Sequence, residues 1–301
     1  MSATEPIPVA MLSAEQWRRH VGRHREQVRR KTTSTRNRKA AGRSHPVEDF
    51  LFTYYFISPT KLEQWHPGAG IVLENAADLP DWLSHPPYLS DDRGTFLPET
   101  GPPAKARERL RWILDLLVAT RGRAPNFSCH GLHEWAMVYT GTDIRHRESC
   151  PLRLPQAEID ALVESRPICC SHFDAFRFFH ADARPLNRLQ PTLDLRQSLE
   201  QPGCLHANMD LYKWTGKAMP WVGSELLFET FELALELREL DMRASPYDLS
   251  AYGLDPVPIE TEAGRADYVR QQQALAEKAA PLRQRLIDAL QALLSPPPKI
   301  A

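Results

Sequence analysis

Residues 224–242, SELLFETFELALELRELDM, decide the fold class. Leu, Glu and Ala dominate the stretch and all favour a helix. Ser224 stands where an N-cap is expected and Pro246 lies just beyond the end. Three other segments repeat a helical spacing. Leu110, Ile113, Leu114 and Leu117 predict a helix that stops at Arg121-Gly122. Ile159, Leu162 and Val163 predict a short one after Pro155. Residues 262–294 predict a long one, apolar at Leu275, Ala279, Leu282, Leu286 and Leu293, which Pro281 should kink or divide. The expected class is therefore mainly α: one globular helical domain, with a few short strands possible.

Upstream, Val47, Phe50, Leu51 and Tyr54 fall at i, i+3, i+4 and i+7 and predict a buried helix face ending before Ser58-Pro59. Residues 58–104 are rich in Pro and Gly and read as connecting structure anchored by Trp65, Trp82 and Tyr88. Ser13 with Gln16 forms a capping-box pattern, but Trp17, Val21 and Val28 give the helix it opens only a thin apolar stripe. Between Arg18 and Arg43 there are eleven Lys/Arg and a single acid, Glu26. We read residues 1–44 as a basic, partly disordered arm, residues 45–295 as the folded domain and residues 296–301 as a Pro-rich tail.

Lys plus Arg (37) nearly balance Asp plus Glu (38), so any attraction to nucleic acid must be local to that arm. No apolar run approaches the length of a membrane span, and the N-terminus lacks the apolar stretch of a secretion leader. The five cysteines are odd in number and scattered, which suits a reducing cytoplasm rather than a disulfide framework. The chain has no GxxxxGK[ST] loop, GxGxxG turn, GxSxG elbow or CxxC pair. P-loop, Rossmann, α/β-hydrolase and zinc-ribbon readings therefore lack their local signature.

Chemistry concentrates in three segments between Cys129 and Asp210. In CHGLHEWAMVY, from Cys129, a helix would place His130, His133 and Glu134 on one face, able to bind a metal or pair a general base with its orienting partner. In ICCSHFDAFRFF, from Ile168, an extended chain would put His172 and Asp174 on one face, with Cys169 and Cys170 packed as small hydrophobes. In QPGCLHANMDLYKW, from Gln201, His206 and Asp210 stand at i, i+4, followed by Lys213 and Trp214. Glu239, Asp241 and Arg243 read as a solvated, salt-bridged helix end rather than a pocket wall. Convergence of the three histidine-bearing segments is expected.

HPVEDFLFTYY from His45, CHGLHEWAMVY, SHFDAFRFF, QPGCLHANMDLYKW and RELDMRASPYDL from Arg238 together resemble a family of bacterial proteins of about this length often named 3-methyladenine DNA glycosylase. The resemblance implies excision of an alkylated purine from DNA. Such an enzyme needs aromatic stacking, a carboxylate and cationic contacts to phosphate. Trp135, Tyr139 and Trp214 are candidates to stack, Glu134, Asp174 or Asp210 to supply the carboxylate with His172 beside it, and Lys213 and the basic arm to hold DNA. The alternative is a metal-dependent hydrolase or oxygenase in which Zn or Fe is held by His130, His133 and His206 with carboxylates from the same segments. A third reading is a non-enzymatic helical module that binds nucleic acid.

Overall fold

The computed structural model describes residues 10–142 and 150–295, so the Pro-rich tail at 296–301 lies outside the described residues. The chain is mainly helical. The helices are α1 (Ala14–Ala40), α2 (Phe50–Tyr54), α3 (Pro59–Leu62), α4 (Ala104–Arg121), α5 (Leu132–Met137), α6 (Gln156–Glu164), α7 (Phe173–Phe176), α8 (Arg196–Leu199), α9 (Leu205–Lys217), α10 (Ser224–Arg243) and α11 (Glu262–Leu294). Short strands β1 (Ala10–Leu12), β2 (Ile71–Leu73), β3 (Leu89–Asp91) and β4 (Gly94–Phe96) form one small sheet in the order β1-β2-β4-β3. β1 runs parallel to β2, and the other pairings are antiparallel. Three of its strands come from the connecting region 58–104.

Helix α10 is the centre of the fold because it is apolar on nearly every side, and it packs against α9, α11 and α1. Helix α11 also packs on α4 and α9. The N-cap of α10 is Gly223, not Ser224. At φ +81° the glycine backbone turns sharply, and the Ser224 side chain bridges back to residues 64–66 instead of capping its own helix. Its hydroxyl donates to the Gln64 carbonyl at 3.2 Å and accepts from the His66 N–H at 2.9 Å. Helix α11 runs through Pro281 without a break, so the proline does not divide it.

The largest correction concerns the basic arm. Residues 14–40 are one continuous helix whose buried face is Trp17, Val21, His24, Val28, Thr32 and Thr35. The stripe looked thin because three of its members are polar. Thr32 donates its hydroxyl to the Val28 carbonyl, one turn back, and so presents a methyl group to the core. His24 Nε2 lies 2.8 Å from the Leu62 carbonyl, which satisfies a buried ring. The Trp17 indole donates to the Glu74 carbonyl at 3.1 Å, and β1 pairs with β2, so the folded unit includes residues that precede 45. Eight of the eleven positive charges are also answered from within. Arg18 meets Asp78, Arg19 Glu15, Arg23 Glu225, Arg30 Glu26 and Lys31 Glu232; Arg29 and Arg36 share Glu63, and Arg38 meets Glu48 and Asp49.

Two predictions follow from this packing. Trp17→Ala should destabilise the whole chain by about 3–5 kcal/mol in urea unfolding, as truncation of a buried Trp does; a change below about 1 kcal/mol would mean that α1 detaches as an arm. His66, beside α10, hydrogen-bonds the Tyr88 hydroxyl, and burial, with His24 nearby, pulls its pKa down from 6.5 to about 4. The folded state therefore holds His66 neutral where the unfolded state protonates it. Its contribution is fully present above pH 6.5 and is lost as pH falls toward 4. Across that window His66 should account for roughly 3 kcal/mol of the fall in unfolding free energy, seen as a shallower slope in His66→Phe than in the wild type.

Candidate metal centre

Helix α10 buries charge in the middle of its apolar face. Leu227, Phe231, Ala234, Arg238 and Asp241 follow one another at spacings of three and four and form one inward stripe, and Asp241 has no exposed surface. An ionised group in such a place must be paired. Arg238 Nη1 lies 2.7 Å from Asp241 Oδ2 and 3.2 Å from Glu134 Oε1. His133 Nε2 lies 2.7 Å from Asp241 Oδ1, and His206 Nε2 lies 3.8 Å from Asp241 Oδ2. The rings of His133 and His206 meet edge to face with centroids 4.7 Å apart. One donor atom from each of His133, Glu134, His206 and Asp241 lies within 4.8 Å of the other three.

The approach to α5 explains which histidine joins. His130 and Gly131 both have positive φ, so the chain turns there and α5 begins only at Leu132. A side chain at 131 would press on Ala244 and Tyr268. His133 and Glu134 therefore sit on the first turn and point at α10, whereas His130 is off the helix and outside the cluster. This corrects the expected His130, His133, Glu134 face. The second nitrogen of His133, Nδ1, lies 3.3 Å from Cys129 Sγ, so both edges of the ring are fixed.

The electrostatics suit a cation. Burial, together with Asp241, raises the Glu134 carboxyl to about 7 despite Arg238 and His133. Burial lowers His206 to about 3 against the opposing charge of Asp241, with His133, His172 and Arg238 adding to the fall. Burial opposes ionisation of Asp241 as well, but its positive neighbours hold it well below the usual carboxylate range. His133 is shifted the other way, well above 6.5, because Cys129 and Asp241 overcome its burial. His206 is thus neutral at neutral pH and can offer a lone pair, while Glu134 and Asp241 share Arg238 and the proton held by His133.

A second network lies against the first, with the His172 ring stacked on that of His206 at 5.5 Å. His172 Nε2 is 3.3 Å from Asp210 Oδ2 and 3.5 Å from Glu200 Oε1. Here the cation is built in. Arg196 reaches Glu200 at 2.8 Å, Asp210 at 3.0 Å and Asp174 at 3.1 Å, while Lys213 reaches Asp174 at 2.8 Å and Asp210 at 3.2 Å. The Tyr55 hydroxyl donates to the remaining oxygen of Asp210. The expected His172–Asp174 pairing is replaced: His172 caps α7 in extended backbone and turns to Asp210.

The two networks differ in access. A cavity of about 450 Å³ is lined by Glu134, His206 and Arg238 of the first, but of the second only Asp174 reaches it. The stacking candidates do not reach it either. Trp135 has no exposed surface and donates to the Ala244 carbonyl at 2.8 Å. Trp214 is buried against Trp112 with Lys213 and Arg196 over its ring, and the Tyr139 hydroxyl is tied to Glu164. The aromatic wall is instead Phe50, Tyr54, Phe178, Phe179 and Tyr247.

Sequence reasoning brought His133, Glu134, His172, His206 and Asp210 into one region but passed over Arg238, Arg196 and Glu200, and it put Asp241 on a solvated helix end, whereas Asp241 is fully buried. Arg238 and Asp241 carried a usable signal, since they continue the apolar stripe of α10. Glu239 and Arg243, by contrast, do form a surface pair at 3.4 Å. Comparison with known proteins returned no matching family model, no matching curated relative and no matching solved structure.

Removing Arg196 would strand the buried Asp210 and Glu200. Arg196→Leu should therefore cost about 3–5 kcal/mol in chemical denaturation, the usual penalty for an uncompensated buried charge. Lys213→Met, with a partly exposed side chain and Arg196 still in place, should cost clearly less. Equal costs would mean that Arg196 is not the keystone of this network.

Proposed function

We propose that the chain is a metal-dependent enzyme, with Zn or Fe held by His133, His206, Glu134 and Asp241 and a small substrate admitted through the cavity beside them. The observation that carries this reading is the convergence of two imidazoles and two carboxylates from three helices, two of them lining the cavity. Imidazole and carboxylate donors suit Zn and Fe alike. A divalent ion would supply the positive charge that Glu134 lacks, let it ionise below its present value of about 7, and displace the proton that His133 shares with Asp241. With protein ligands on one side and the cavity on the other, it could polarise a substrate oxygen or activate water.

Elemental analysis of protein purified without chelator or histidine tag tests this directly. About one equivalent of Zn or Fe per chain is expected in the wild type, and its loss in a His133→Ala, His206→Ala variant whose circular dichroism stays helical. Metal-free wild type would overturn the reading and leave Glu134 and His206 as an acid–base pair.

Base excision, implied by the family resemblance, is the second reading. An aromatic-walled cavity with a carboxyl near neutrality at its edge favours it. In this reading phosphate contacts would come from the cavity rim rather than from α1, most of whose charges are paired internally. Release of alkylated base from methylated DNA is its assay.

A further inference from the structure

The charge left over in the cavity lies on one short segment. Arg177 and Arg184 both line it, seven residues apart. Arg177 Nε is 3.3 Å from Asp174, but that carboxylate is already shared by Lys213 at 2.8 Å and Arg196 at 3.1 Å. Asp210 and Glu200 share those same two cations, so Arg177, Lys213 and Arg196 face three acids and Arg177 is matched within the network. Arg184 donates to the Arg177 carbonyl at 3.1 Å, and no carboxylate lies within 4.0 Å of it among the described residues. Arg238, the third arginine of the lining, is engaged by Glu134 and Asp241. Arg184, which has no carboxylate partner among the described residues, and Arg177 on the same cavity lining together supply the donors of an oxyanion fork. Next to them Phe50 and Tyr54 stack nearly parallel, with centroids 4.9 Å apart, and both line the same cavity. The volume of about 450 Å³ holds a small organic molecule rather than a polymer.

We infer that the cavity takes a small aromatic or heteroaromatic anion, its carboxylate or phosphate held by Arg177 and Arg184 and its ring against Phe50 and Tyr54. The inference rests on the proposed function only in that the part of the molecule remote from the anion would face Glu134 and His206. Carboxylate and phosphate share the chemistry that the fork recognises, and the test separates them.

Isothermal titration of the full chain with benzoate, phenyl phosphate and neutral benzyl alcohol decides the matter. At least one anion should bind about tenfold or more tighter than benzyl alcohol, and the tighter of the two identifies the headgroup. Arg184→Gln, at an exposed position, should weaken that anion about tenfold, leaving benzyl alcohol binding and the thermal midpoint unchanged. Equal binding of benzyl alcohol, or an unchanged anion affinity in Arg184→Gln, would overturn the inference. Metal content measured on the same samples keeps the two readings apart. Selective anion binding by metal-free protein supports this inference and removes the metal; metal without anion selectivity does the reverse.

Discussion

Asp241 is an ionised carboxylate with no exposed surface, held in the central helix of the molecule, and the arrangement around it follows from that placement. A lone buried charge of this kind is not sustainable, and one partner does not saturate four lone-pair sites. Arg238, one turn earlier on α10, takes one oxygen, and His133 takes the other. Each recruit then fixes an element. His133 draws the first turn of α5 against α10, which requires the left-handed turn at His130 and Gly131. Arg238 has guanidinium capacity to spare and gathers Glu134 from the same turn.

Helix α9 ties this centre to the second network. His206 and Asp210 are one turn apart on α9, so one residue faces Asp241 and the other faces His172, Arg196 and Lys213. The two networks use similar residue types to opposite ends. Around Asp210 three acids meet three cations, Arg196, Lys213 and Arg177, and both oxygens of Asp210 are met from within the protein. Around Asp241 two acids meet Arg238 and the proton-holding His133, a neutral imidazole stands 3.8 Å away, and the group borders a cavity. The sealed network reads as scaffold and the open one as the place where a ligand completes the charge balance.

How much of this was legible depends on the period over which each signal acts. The helices α4, α6, α10 and α11 are visible in local spacing because each carries an apolar face of several turns. Helix α1 was read as an arm because polarity was scored by residue type. Thr32 and Thr35 count as polar in a sequence, yet the Thr32 hydroxyl is spent on its own helix, and only packing reveals it. The site was half legible for a similar reason. His206 and Asp210 share a turn and so declare themselves, whereas Arg196 and Glu200 act across 14 and 28 residues on Asp210 and His172, distances over which spacing has no meaning. His130 misled because a helix was assumed to begin before Gly131, and a glycine at positive φ is where the helix instead starts late.

The distribution of arginine makes the same separation at the level of the whole chain. An arginine-rich segment suggests a polyanion, yet on α1 the carboxylates that answer it come from distant parts of the chain, among them Glu63, Asp78, Glu225 and Glu232. That pairing is what a structural helix needs in order to lie against the body without self-repulsion. The exposed pairs add little stability one by one, so their main effect is to cancel the local field. Arg184 has no such answer among the described residues, and Arg177 has only a share in one. Net charge near zero therefore conceals a small unbalanced site. The argument for an external anion rests on Arg184 because it lines a cavity, whereas eight of the eleven basic residues of α1 and its C-terminal extension meet carboxylates of the protein itself.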